Sequence, residues 1–272
     1  MLTYFFLFII GLMVGSFLSV VIYRETTDIP KTKKEKILSW LPTWVAGRSH
    51  CDYCQNQLVW FENIPLISYL IQSGKCRKCG RKIPFSYPLF ELFTALEFVW
   101  LYWLIQRFAF FQQMEGSYSL FVLGFWLFVF SLSVALSIID IKAGILPDSL
   151  IVVGSCVAVL RLLITGRYEF IIAGIGLGLF FLALYLLTGG KGIGFGDVKL
   201  AFFIGVVLGW WQWILVAMFV AFLTGAIVGV ILMILRKKTM KSAIPFGPFL
   251  LGGMLVAKLF AESIWLWYTG LI

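Results

Sequence analysis

Residues 189 to 200 read GGKGIGFGDVKL, and the fold turns on how this stretch sits between its neighbours. Five glycines (Gly189, Gly190, Gly192, Gly194 and Gly196) fall within eight residues and end at Asp197, with a strongly apolar run on either side. Glycine costs backbone entropy inside an element, so such a cluster marks a turn or a place where another backbone must approach closely. The stretch reads in two ways: a loop joining two membrane helices with Asp197 as a helix cap, or a site where a peptide meets an acid. The flanking runs are typical of the whole chain. Hydrophobic residues make up 61% of it, charged residues 13%, and mean hydropathy is +0.97, far outside the range of a soluble globular domain.

About 20 mostly apolar residues are needed to cross the hydrocarbon core as a helix. Eight stretches qualify, at 3–23, 88–106, 118–139, 146–165, 169–188, 198–211, 213–235 and 246–268. The sixth is short, and Trp210, Trp211 and Trp213 at its border with the seventh suit an interfacial belt. The expected fold is an all-α polytopic membrane protein of about eight transmembrane helices, with a small cytoplasmic zinc-binding loop domain between helices 1 and 2. That gives a first helix at 1–23, a loop domain at 24–87 and a seven-helix membrane domain at 88–272. No internal repeat is evident.

Charge orients the chain. The net charge of +9 would suggest nucleic acid in a soluble protein, but here the basic residues act first as topology signals, and no nucleic-acid partner is expected. Eleven of the 22 Lys and Arg lie between Arg24 and Lys82. With the N-terminus outside, the loops at 24–87, 140–145, 189–197 and 236–245, together with Lys199, hold 18 of the 22, so these loops are read as cytoplasmic. The first span has no basic residue before it and no clear small-residue cleavage site, so it reads as a retained helix rather than a signal peptide.

The long loop carries Cys51-x-x-Cys54 and Cys76-x-x-Cys79 with 21 residues between them. Thiolates at this spacing can wrap one tetrahedral zinc ion; two redox-active dithiols are the alternative. Cys156, in an apolar span, reads as a small buried hydrophobe, and His50, beside Cys51, as a solvated loop histidine.

A membrane interior excludes carboxylates unless they are paired or functional. Asp140 closes the third span and Asp197 opens the sixth, both at cytoplasmic helix ends. Two carboxylates facing each other at one depth suit an aspartic protease, in which one activates water and the other protonates or polarises the scissile carbonyl. The plainer reading is that each caps a helix or pairs with Lys142 or Lys199. Helix-end charge distinguishes the two acids: Asp140 follows the carbonyl end of one helix and Asp197 begins another, so a shared proton is expected on Asp140, with Asp197 the base. Asp148, after Pro147, reads as a cap region. Glu91 and Glu97 must face protein, water or headgroups, and Lys258 needs a partner that the sequence does not name.

Taken together the motifs have a family likeness. GSFLSVVIYR (15–24), the paired C-x-x-C, NIPLISYL (63–70), YPLFELFTALEF (87–98), IDIKAGILPD (139–148), GFGDVKL (194–200) and IPFGPFLLGG (244–253) occur in the order found in the bacterial prepilin peptidases, which the chain resembles across nearly its whole length. Ser19 stands where that family usually has asparagine. The resemblance implies a GxGD-type intramembrane aspartyl protease of the bacterial inner membrane, with Asp140 and Asp197 as catalytic acids. It would remove a basic leader from type IV prepilins or pseudopilins of pilus and protein-secretion systems. The same family N-methylates the new N-terminal residue with S-adenosylmethionine as donor; Gly15, Glu91 and the cysteine loop are candidates for that half, and no soluble methyltransferase signature is present. Cys51, Cys54, Cys76 and Cys79 are the expected zinc ligands, supporting folding or methyl transfer more than proteolysis. The substrate, an extended peptide at the cut, is expected to be held partly by strand addition around Gly192 to Gly196 or Pro245 to Pro248, so Gly194, Gly196, Pro245, Phe246, Gly247 and Pro248 are candidate substrate contacts.

Overall fold

The structure is a computed structural model that describes residues 1–27, 48–107, 119–190, 192–236 and 244–270. The basic residues within 28–47 and 237–243, and Lys191 of the glycine stretch, lie outside the described residues. In chain order the α-helices are α1 (Leu2–Thr26), α2 (Ile67–Ile71), α3 (Ser86–Arg107), α4 (Ser119–Ala143), α5 (Asp148–Thr165), α6 (Glu169–Thr188), α7 (Phe195–Leu208), α8 (Trp211–Ile234) and α9 (Gly247–Thr269), with a 3-10 turn at Trp60–Asn63. Eight of them answer to the eight apolar stretches. Seven, all but α2 and α7, are long and apolar enough to cross a membrane.

The chain forms two compact units, Met1–Ser131 and Leu132–Ile272. In the first, α1 packs along α3. Small residues let the backbones close up: a Cβ on Gly11 would lie 2.6 Å from the Cα of Ala95, and one on Gly15 would lie 2.8 Å from the Cα of Glu91. Without a hydrophobic force between helices in lipid, such small-residue seams are how membrane helices gain contact.

In the second unit α7 lies innermost, touching α5, α6, α8 and α9. At 14 residues it is about 21 Å long, shorter than the hydrocarbon core of about 30 Å. A short helix is tolerated there because ten of its residues are buried in protein rather than facing lipid. Its Gly205 sits against Gly174 of α6, where a Cβ would meet the Gly174 Cα at 2.6 Å. Gly209 ends α7 and Trp210 precedes α8, which settles the border between the sixth and seventh stretches.

The tryptophans there divide. Trp210 and Trp211 are exposed as a belt would require, but Trp213 is turned inward, buried beneath Lys258, whose Nζ lies 5.0 Å from the ring centroid. This is a partner for the buried lysine that hydropathy could not supply. Cys156 is exposed rather than buried. The buried stripe of α5 runs through Leu150, Ile151, Gly154, Ala158, Arg161 and Leu162, and position 156 falls off it.

Candidate active site and metal centre

The cysteine loop is two copies of one turn. Cys51 N–H donates to the Asn56 carbonyl and Gln55 N–H to the Cys51 carbonyl; Cys76 N–H donates to Arg81 and Gly80 N–H to Cys76 in the same register. The fifth residue of each copy has positive φ, 55° at Gln55 and 67° at Gly80, and each turn is closed by an antiparallel bridge, His50 with Gln57 and Lys75 with Lys82. Glycine takes that backbone freely, glutamine at some cost. This local repeat escaped sequence reading because only the cysteines are shared between CDYCQNQ and CRKCGRK.

The turns bring the four sulfurs within 4.8 Å of one another, with Cys51 Sγ 3.9 Å from Cys79 Sγ. Four thiols converging on one point, each on a turn whose N–H groups face inward, fit a single tetrahedral metal ion. The N–H groups of Cys79 and Lys78 hold the Cys76 thiol down to about 7, towards the thiolate a metal requires, while burial pushes Cys51 up to about 11. His50 is not part of the cluster and is half-buried rather than solvated. Its Nδ1 lies 3.2 Å from the Arg48 carbonyl, and its Nε2 is buried with no hydrogen-bond partner among the described residues.

The first two turns of α3 fasten this loop to the membrane helices. Tyr87 Oη donates to Asp52 Oδ2 at 3.0 Å, and Tyr23 of α1 hydrogen-bonds the same carboxylate. One turn on, Glu91 Oε2 accepts the Leu66 N–H at 2.8 Å and also hydrogen-bonds Ser16. Leu66 has φ +57° and ψ −47°, a conformation costing on the order of 1–3 kcal/mol for a leucine and held by surrounding contacts such as this one. Gly15 packs on the Glu91 backbone, and its neighbour Ser16 faces a cavity of about 150 Å³ between the helix ends and the two turns. Tyr23, Tyr87, Glu91, His50 and Arg81 contribute to its walls. Glu97, two turns beyond Glu91, is buried with neither oxygen hydrogen-bonded among the described residues.

The acids of the second unit sit where hydropathy put them, at helix ends. Asp140 is in the last turn of α4, which stops at a left-handed Gly144 (φ +65°) whose N–H bonds the Asp140 carbonyl. Asp197 is the third residue of α7, and its Oδ2 accepts the Gly194 N–H at 3.1 Å, reaching back to the cap as an acid at this position does. Asp140 Oδ2 accepts the Gly247 N–H, 2.9 Å away, at the first residue of α9. Both carboxylates are buried, at 5% and 8% exposure, and near enough for the charge of Asp140 to act on Asp197. Leu146 fills the corner between them: a Cβ on Gly196 would meet its Cβ at 3.1 Å, and one on Gly247 its Cδ2 at 3.2 Å.

Two expectations change here. Asp197 does cap its helix, and this leaves its Oδ1 outside the cap bond, so capping and chemistry do not compete. Asp140 does end α4 and Asp197 does open α7, as the sequence implies, but Asp140 also meets the amino end of α9 through the Gly247 N–H, so a helix N-terminus holds each acid and the contrast between them rests on the α4 end alone. Lys199 pairs with neither. Its Nζ is 2.6 Å from Asp148 Oδ1 and lies over the Phe195 ring, so Asp148 is tied by an ion pair to the start of α7. The N–H groups of Gly194 and Gly247, expected to be open to a peptide, are both committed to the acids, and Pro245 and Pro248 have no N–H to give. Gly196 and Phe246 are the candidate substrate contacts whose N–H groups the acids do not take; the Phe246 ring centroid lies 5.2 Å from that of Phe222.

Comparison with known proteins adds identity to this geometry. Residues 9–105 match the family described as Bacterial Peptidase A24 N-terminal domain, and residues 127–230 the Type IV leader peptidase family. The "Prepilin leader peptidase/N-methyltransferase" of Aeromonas salmonicida is 33% identical over 97% of this chain and 93% of that protein. Proteins of the same name from Pseudomonas aeruginosa and Legionella pneumophila are 32% and 31% identical, covering 94% and 96% of this chain and 90% and 92% of their own lengths. No solved structure matches significantly. The chain belongs to the type IV leader peptidase family.

Proposed function

We propose that this protein is a multi-pass enzyme of the bacterial inner membrane that removes the leader of type IV prepilins or pseudopilins and N-methylates the new N-terminus. The observation that carries the peptidase half is the pairing of Asp140 and Asp197: two buried carboxylates from different helices, each fixed through Oδ2 by a backbone N–H. Water activated by one acid adds to the scissile carbonyl while the other donates a proton to it. Collapse of the tetrahedral species breaks the C–N bond, the leaving amine takes a proton, and the pair returns with one proton between them. Their position in the last turn of α4 and the first of α7 favours this over proton-coupled transport, for which acids near the membrane midplane would be expected.

Zinc is the metal that the four thiolates fit best, and its role here is to fold the segment 24–87, which we read as the methyltransferase-associated domain on the cytoplasmic side. S-adenosylmethionine would supply the methyl group, and Glu91 with the backbone seam at Gly15 belongs to that half. Phe246, Gly247 and the residues around Gly194 and Gly196 frame the peptide site, and the bilayer presents the helical part of the substrate to it. The test is co-expression with candidate prepilins, read by mass. Wild type should yield a product that has lost its leader and gained one methyl group. An unprocessed prepilin in the presence of normally expressed enzyme would refute the peptidase and leave an assembly scaffold.

A further inference from the structure

We infer that the cysteine turns lie in the membrane surface rather than above it, with α2 and the turn Trp60–Asn63 sunk among the lipids and the second cysteine turn gathering anionic headgroups. Only the crossing of the membrane by α1 and α3 is needed for this, so it stands apart from the reactions proposed above. α2 is built inside out for a domain in water. Ile67, Leu70 and Ile71 share one face and are exposed, at 53%, 74% and 79%, while Ser68 and Gln72 line the cavity beside Glu91. Trp60 and Phe61, in the turn that packs on α2, are exposed as well. A helix with its apolar face outward is stable where that face meets lipid, and tryptophan concentrates at the boundary between acyl chains and headgroups.

The depth of this face follows from α3. Glu91 is five residues past Ser86, about 7.5 Å along a helix that is long and apolar enough to cross the membrane. Its bond to the Leu66 N–H starts α2 at that depth, less the lean of a helix side chain towards the helix start. Tyr69 then meets Phe85 with ring centroids 6.2 Å apart, so α2 climbs back to where α3 enters. Interfacial helices bury their apolar face by about 5–10 Å, a matching depth. The face is also continuous with lipid: Phe85 heads an exposed stripe on α3 that runs through Leu89, Phe93 and Leu96 into the span. From α2 the chain passes into the second cysteine turn, where Lys75, Arg77, Lys78, Arg81 and Lys82 are all exposed. The Arg77 guanidinium lies over the Phe61 ring, 5.3 Å from its centroid, an apolar body with a charged tip. Five cations beside an apolar face are complementary to a leaflet of anionic lipid and would repel a basic peptide, which makes the bilayer the occupant.

Fluorine relaxation on the full chain in lipid nanodiscs tests this. Leu70 is replaced by trifluoromethyl-phenylalanine, the discs hold phosphatidylcholine and phosphatidylglycerol, and metal content and thermal midpoint are matched to wild type. A nitroxide on the upper acyl chain should relax the label to within about threefold of the same label at Phe93, and a soluble gadolinium chelate should relax it at least about tenfold less than the free amino acid. Nitroxide carried on phosphatidylglycerol should act about twofold more strongly than nitroxide on phosphatidylcholine, and Lys75→Glu with Lys82→Glu should remove that excess without changing the depth. Relaxation by the chelate and not by the nitroxide puts the face in water and overturns the inference. Shielding from both agents means that protein covers the face, a second copy or a peptide, and overturns it equally. Equal action of the two labelled lipids removes the part given to the second cysteine turn. If the label at position 70 disturbs the fold, the same label at Ile71 decides between these outcomes.

Discussion

Gly247→Ala should disable proteolysis without harming the fold. A Cβ at this position would lie 2.6 Å from Asp140 Oδ2 and 3.2 Å from Leu146 Cδ2. Ordinary contact with a Cβ begins at 3.4 Å, so the carboxylate must retreat by about 0.8 Å, and Leu146 behind it leaves little room. A displacement of about 1 Å in a reacting group can cost about 10²-fold in rate, so a loss of that order in kcat is expected. Stability should hold, because position 247 opens α9 and alanine is about 1 kcal/mol better than glycine in a helix. Gly194→Ala is the matched control. Its Cβ would sit 3.4 Å from Asp197 Oδ2, already ordinary contact, and its φ of −76° suits any residue, so cleavage should fall by no more than about threefold. The assay is cleavage of a purified prepilin by detergent-solubilised enzyme, with thermal midpoint and bound metal measured alongside. If Gly247→Ala cleaves at the wild-type rate, or if the two alanines behave alike, Asp140 is not held against α9 in the way that makes it reactive.

Other substitutions probe the remaining contacts. Cys51→Ser or Cys76→Ser should lose stoichiometric zinc, and chelation of wild type should do the same; full retention of metal by either variant would contradict a four-thiolate site. Tyr87→Phe removes one hydrogen bond to Asp52 and should lower stability by about 1 kcal/mol, read as a shift of the thermal midpoint, with a larger loss pointing to a wider network than the two tyrosines. Gly15→Val drives a branched side chain into the Glu91 backbone and should cost about 1–3 kcal/mol by overpacking; unchanged thermal stability would mean that α1 and α3 are not in close contact.

Much of this architecture was open to reading from residues alone, for reasons that also explain the rest. Each of the eight apolar stretches became a helix because a buried or lipid-bound chain must satisfy its own backbone groups, which leaves hydropathy in control. The cysteine cluster followed from spacing, since two C-x-x-C turns have few ways to meet. What spacing cannot convey is contact across distance. Gly247 is 107 residues from Asp140, and Tyr87 is 35 from Asp52, so neither partner is marked in any local window. The burial of Trp213 and the exposure of Cys156 depend on which face of a uniformly apolar helix meets protein, and such helices carry almost no amphipathic signal. The strained Leu66 is invisible for a different reason. Nothing in a leucine announces a positive φ, and the Glu91 bond at that position comes from a helix 25 residues away in sequence.

The most direct measurement of the central claim, that Asp140 and Asp197 act as one unit, is a double-mutant cycle in peptidase rate. Asp140→Asn, Asp197→Asn and the double variant would be purified with zinc content and thermal midpoint matched to wild type. Each single variant should lose about 10³-fold or more, and the double should be no slower than the singles, because removing either member already breaks the pair. Appreciable cleavage by either single variant, or losses that multiply in the double, would contradict a shared two-aspartate site.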